Sequence, residues 1–155
     1  MKTAGVRATL IRIPKSFLNV RYNGAKFPGA AGDPGLGEGA NCQRFAYALL
    51  RHFGREVPNL RSSELWEDTK STTLAKRLRP LDLMLFSADG KSWGAHVGVY
   101  LGAGRVIHLA KKIGKPAIWT TTQFAADPAY KKLVGAKRVN ASACRRRFSS
   151  ADLRT

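Results

Sequence analysis

From Pro80 onward the chain breaks into short apolar runs separated by turns, several carrying glycine, and no other feature constrains its fold as strongly. The runs cover residues 81–86 (LDLMLF), 95–101 (AHVGVYL), 105–109 (RVIHL), 117–121 (AIWTT) and 134–139 (VGAKRV). Each has the length of a strand and is too short for a packed helix. Ala88-Asp89-Gly90 and Gly102-Ala103-Gly104 lie between runs, where hairpin turns need residues that accept positive φ. Upstream the period changes. Phe45, Leu49, Leu50 and Phe53 recur every three or four residues between Asn41, a good N-cap, and Gly54, a good terminator, which predicts an amphipathic helix over 42–53. A second helix is expected to begin at Ser62 or Ser63, with Glu64, Glu67 and Asp68 in early turns that favour negative charge. Helices followed by antiparallel strands make an α+β arrangement, with the helices packed on one side of the sheet.

The rest of the chain reads as accessory to that core. Residues 9–20 alternate weakly and are broken by Pro14, which predicts an extended lead-in through residue 22, and residues 23–40 are a Gly/Pro/Ala loop. With 155 residues, 44% of them hydrophobic, the chain suffices for one packed core. We therefore expect a single domain over 1–155, with its core at about 40–139 and a basic tail over 140–155 that includes Arg145, Arg146 and Arg147.

Lys and Arg number 27 against 10 acidic residues, a formal charge of +17, which attracts polyanions at long range. Nucleic acid, an anionic membrane surface and an anionic wall polymer all qualify as weak electrostatic partners. A solvated basic surface that only aids solubility is the plainer alternative. No run approaches the roughly 18 apolar residues of a membrane span. Arg7, Arg12 and Lys15 interrupt the first apolar stretch, so no secretory signal is legible. The default expectation is a cytoplasmic location, or export by a route the sequence does not display. Cys42 and Cys144 stand in different contexts and read as two free thiols, with Cys144 a bystander in the tail.

Three residues carry the candidate chemistry. Cys42 opens its predicted helix, where unpaired backbone N–H groups and the helix dipole favour a thiolate. His96 lies in a strand whose alternation puts it on one face with Gly98 and Tyr100, and an imidazole there can take the thiol proton and return it to a leaving amine. His108 lies in the next strand, 12 residues on, where a hairpin brings it beside His96 as the third, orienting group. His52, near the end of the first helix, reads as structural. A zinc site built from Cys42, His96 and His108 competes for the same residues, but the closely spaced ligand pairs of structural zinc are missing. No G-x-S-x-G is present, and Gly35, Gly37 and Gly39 match a phosphate loop only superficially.

Taken together, GANCQRFAYALLRHFG, LRPLDLMLF, AHVGVYLGAGRVIHLA and VGAKRV resemble, in that order, the NlpC-type cysteine peptidases, papain-like enzymes that cut peptide bonds in peptidoglycan. In that family a cysteine begins a helix, a Pro-Gly-Asp-Leu segment opens the sheet, and a His-Val-Gly strand carries the base. A second polar residue, often His, follows about a dozen positions later. The resemblance, over roughly residues 40–139, implies Cys42 as nucleophile, His96 as base, His108 as orienting residue and Asp82 as a structural aspartate. It implies a papain-like fold with N-terminal helices on a five- to six-stranded antiparallel sheet, a peptide or peptidoglycan fragment as substrate, and no cofactor.

Two departures stand out. Asn41-Cys42-Gln43-Arg44-Phe45 replaces the family's Asp-Cys-Ser-Gly-Phe, putting an amide and a cation beside the nucleophile. The family's tyrosine about a dozen residues before the cysteine, near the developing oxyanion, is Ala30 here; Tyr22 and Phe27 are candidate counterparts, and of these Tyr22 can donate a hydrogen bond. The backbone N–H of Cys42 is the other oxyanion donor. Two rivals remain: a thiol-dependent acyltransferase or deamidase acting on another protein, and a catalytically degenerate module that binds a polymer or nucleic acid. The sequence carries no signal of oligomeric state.

Overall fold

The computed structural model describes residues 11–32 and 35–140. The tail with Cys144 and residues 145–147 lies outside them. In chain order the elements are α1 (Lys15–Leu18), α2 (Cys42–His52), α3 (Ser62–Glu67), β1 (Thr72–Leu74), β2 (Leu83–Ser87), β3 (His96–Gly102), β4 (Arg105–Leu109), β5 (Pro116–Thr120), α4 (Thr121–Ala125) and β6 (Lys132–Val139). The strands form one six-stranded sheet in the order β1-β6-β2-β3-β4-β5, antiparallel throughout. This is the expected α+β class. No helix among the described residues is long and apolar enough to cross a membrane.

Three elements differ from the sequence reading. The lead-in is not wholly extended, because α1 forms directly after Pro14. Proline obstructs the turn before it, and as N-cap, at φ −60° and ψ 143°, it leaves the following turn free to form. β1 has only three residues, too few for a period to show, and is defined by its pairing with β6. α4 begins at Thr121, which the reading gave to a strand. Thr120 caps it by accepting from the Gln123 N–H at 3.2 Å, while the Gln123 side chain accepts from the Thr120 N–H at 2.7 Å.

The sheet is covered on both faces, so helices do not all lie on one side. Leu83, Leu85, Val97, Val99, Ile107 and Leu109 face Phe45, Ala46, Leu49 and Leu50 of α2, and these side chains form the main core. Burying each of these large side chains stabilises the fold by roughly 1.5–3 kcal/mol. Met84, Phe86, Val106 and Ala136 point the other way and are covered by Phe124 of α4. Alternation along β2 assigns its residues to these two clusters.

The sheet opens at a strained turn. Leu81 adopts φ 79°, a conformation that favours glycine, the residue found here in the Pro-Gly-Asp-Leu pattern. Its buried side chain joins the main core. The next residue, Asp82, is fully buried and accepts both Nε and a terminal nitrogen of Arg138 at 2.8 Å, tying the approach to β2 to β6.

Candidate active site

Cys42 is placed by backbone geometry. Gly39 has φ 91°, and a Cβ there would lie 2.6 Å from the Arg21 carbonyl oxygen, so only glycine lets the chain pass this close before the helix. Asn41 then caps α2, its side chain accepting from the Arg44 N–H at 2.9 Å. Cys42 follows as the first helical residue. The backbone N–H groups of Val97, Gln43 and Cys42 itself favour the thiolate at its sulfur. Val97 has this donor to give because the β3–β4 ladder reaches no nearer the start of β3 than the pair Val99↔Ile107. Sequence position alone predicts a stabilised thiolate. Burial nevertheless pushes the Cys42 thiol up, outweighing those three donors and the positive charge of Arg61.

The two histidines are placed by side-chain packing. Gly98 stands directly across from His108 by the β3–β4 register, and a Cβ on it would meet Val106 Cγ1 at 2.6 Å and His108 Cβ at 3.4 Å. The missing side chain leaves space for His108 to lean along the sheet toward His96. The outcome is a bond of 2.8 Å between His96 Nε2 and His108 Nδ1. Both rings are buried, and His108 Nε2 has no hydrogen-bond partner. Aromatic side chains enclose them: Tyr130 stacks on His96 with centroids 4.4 Å apart, while Trp119 and Phe124 contact His108 at 4.5 and 4.6 Å. Lys112 lies over the Tyr130 ring, 4.7 Å from its centroid, and both carboxylate oxygens of Asp127 accept from its ammonium at 2.8 Å.

This enclosure sets the charge state. Burial first, then the positive charges of His108 and Lys112, push His96 down to about 3. Burial pushes His108 down to about 4, with Asp127 opposing and Lys112 assisting. Near neutral pH both rings are therefore uncharged and the Cys42 thiol is protonated. Burial also pushes Tyr130 up to about 12, with Asp127 and Cys42 acting in the same direction.

Cys42 lines a cleft of about 360 Å³ with Tyr22, Arg61, Trp93 and Ala95. Of the two candidate oxyanion residues, Tyr22 is on this cleft, whereas Phe27 lies under the Arg61 guanidinium at 4.9 Å. Gln43 also lines the cleft, its amide donating to the Leu60 carbonyl at 3.1 Å, while Arg44 turns to the Gly35 carbonyl at 3.2 Å. The bulky cation two residues after Cys42 is thus absent from the cleft lining. His52 packs edge-on against Phe17 and Phe53, at the far end of α2 from Cys42. No group of three His, Cys, Asp or Glu side chains among the described residues could hold a metal ion. The sequence reading missed Arg61, Trp93 and Tyr130. Trp93, 84% exposed just before the histidine strand, carries a signal in its chemistry alone; Tyr130 reaches His96 across 34 residues and carries none.

Comparison with known proteins bears on the same arrangement. Among solved structures, a NlpC/P60 family protein of Bacillus cereus ATCC 10987 superposes with a TM-score of 0.56 at 23% identity, covering 80% of this chain and 37% of that one. The peptidoglycan hydrolase RipB of Mycobacterium tuberculosis superposes with a TM-score of 0.51 at 17% identity, covering 80% of this chain and 59% of that one. These likenesses concern the fold, and this chain spans well under two thirds of either protein. No curated protein sequence matches it. The model of the NlpC/P60 family matches residues 24–138, a span that holds Cys42, His96, His108 and the sheet except for the last residue of β6, and the chain belongs to that family.

Proposed function

We propose that the protein is a cysteine hydrolase of peptide bonds, with Cys42 as nucleophile, His96 as general base and then acid, and His108 as the residue that orients His96. The observation that carries this reading is the 2.8 Å bond between His96 and His108 at the start of a strand whose next N–H, that of Val97, favours a thiolate at Cys42. With Nε2 engaged by His108, Nδ1 is the nitrogen of His96 left to accept a proton. The tautomers follow: His96 carries its proton on Nε2 and donates it to His108 Nδ1, and His108 carries its own on Nε2.

In the first step the sulfur attacks the scissile carbonyl, and the thiol proton passes to His96. With the thiol pushed up by burial and the imidazole pushed down to about 3, that transfer is uphill, so it accompanies C–S bond formation instead of preceding it. The oxyanion is met by the Cys42 backbone N–H and the Tyr22 hydroxyl. Collapse breaks the C–N bond, His96 protonates the departing amine, and a thioester remains. Water then attacks the thioester with His96 as base, releasing the acid and restoring the thiol. No cofactor enters.

Family membership favours a peptidoglycan stem peptide as substrate, as does RipB, itself a peptidoglycan hydrolase. The charge of +17 suits an anionic wall. The test is digestion of purified stem peptides, reading new amine and acid ends, with Cys42→Ala and His96→Ala as controls. Loss of cleavage in both variants is expected. Transfer of the acyl group to an amine in preference to water would replace hydrolase by acyltransferase, and wild-type cleavage that survives Cys42→Ala would end the reading.

A further inference from the structure

The face of the sheet opposite α2 holds a second concavity, which shares no residue with the Cys42 cleft but is lined in part by Phe124 and Tyr130, the rings that pack on the histidines. It is an apolar groove of about 300 Å³ whose floor is Met84, Phe86 and Phe124. Its walls include Leu78 and Leu133, which leave 39% and 52% of their surface in solvent. Two protruding leucines beside an apolar groove are unusual in a chain with this much charge.

The segments that line the groove carry a cluster of exposed cations. Lys131 lines it, Lys132 follows in β6, and Lys76, Arg77 and Arg79 flank Leu78; all five are exposed. The acids in residues 72–86 and 121–139 are Asp82 and Asp127, and each is already paired, with Arg138 and Lys112. Among the described residues no ion pair neutralises the five cations at this rim.

We propose that this face docks on an anionic phospholipid surface, with Leu78 and Leu133 entering the headgroup boundary and Lys76, Arg77, Lys131 and Lys132 meeting lipid phosphates. Apolar side chains at the centre and cations around them are what an interfacial site needs, since each supplies an attraction the other lacks. A nucleic acid or wall polymer would use the cations and leave the leucines without a function. A second copy of the chain would bring the same positive rim against this one. The inference is independent of the chemistry at Cys42.

Flotation of the full chain with vesicles tests it, comparing phosphatidylcholine alone with phosphatidylcholine containing phosphatidylglycerol. Binding is expected only to the mixed vesicles and should weaken with salt. Lys131→Gln with Lys132→Gln should weaken it about fivefold per residue, the factor that ~1 kcal/mol represents. Leu78→Ser with Leu133→Ser should weaken it by about tenfold or more while leaving heparin binding and the thermal midpoint unchanged, as both side chains are already part-exposed. Vesicle binding indifferent to the leucine pair would overturn the proposal in favour of a polyanion site. Self-association abolished by the leucine pair, without vesicle binding, would overturn it in favour of a second copy.

Discussion

Cys42 and His96, the two partners of the proposed site, are held by different kinds of force. Cys42 is placed by the main chain: a glycine that must pass the Arg21 carbonyl, and an asparagine cap that opens α2. The imidazole is fixed by side chains, with His108 on one nitrogen and Tyr130 stacked on its face. Backbone placement is local and survives most neighbouring substitutions. Side-chain placement depends on residues far apart in sequence, and the same packing that holds the base also removes it from water. In the proposed site His96 is therefore the part that substitutions away from the cleft can disturb.

The largest effect tests the thiol. Cys42→Ala should reduce kcat/KM for peptide cleavage by roughly 10⁴-fold with no shift in thermal midpoint. On the base side, His108→Ala should lower kcat by about 10²-fold, the scale of a misplaced catalytic group, with KM little changed. His108→Asn should recover part of the loss, because its side-chain carbonyl can accept the His96 proton. Gly98→Ala tests whether close approach of β4 matters: the added Cβ should cost about 1–3 kcal/mol of stability and lower kcat as well, since Val106 or His108 must move.

How much of this was legible in the sequence follows the same division. The helix over 42–53, its Asn41 cap and the position of Cys42 rest on neighbours within a few residues, and the structure has α2 at Cys42–His52 with that cap. Five strands were readable from alternation and turn chemistry, and the hairpin between β3 and β4 put His108 beside His96. What escaped depends on long-range packing. β1 exists only through β6, α4 is announced only by the pairing of Thr120 with Gln123, and Tyr130 meets His96 from a separate loop. The charge state escaped for the same reason. A helix start predicts a thiolate, but the burial that opposes it is supplied by the whole fold.

Two smaller effects sharpen the contrast. Tyr130→Leu should lower kcat by roughly tenfold, the worth of one aromatic stack, and Tyr130→Phe should restore it, since the ring and not the hydroxyl faces His96. Stability should also depend on acid in a defined direction. Both histidines are lowered from 6.5, to about 3 and about 4, so the unfolded chain takes up protons that the folded one refuses. The stabilisation is complete above pH 6.5 and is lost as pH falls through the window from 6.5 toward 3. Thermal midpoints measured across that window should fall with acid, and His96→Gln should flatten the slope.

The most direct test of a Cys42 acyl-enzyme is a burst experiment with a p-nitrophenyl ester of the peptide acyl group, in which deacylation becomes the slow step. The account predicts a burst of one nitrophenol per protein, an acyl group found on Cys42 by mass spectrometry, no burst in Cys42→Ala, and a greatly slowed burst in His96→Ala. An undiminished burst in Cys42→Ala, or acylation of Cys144 or a lysine in its place, would contradict it.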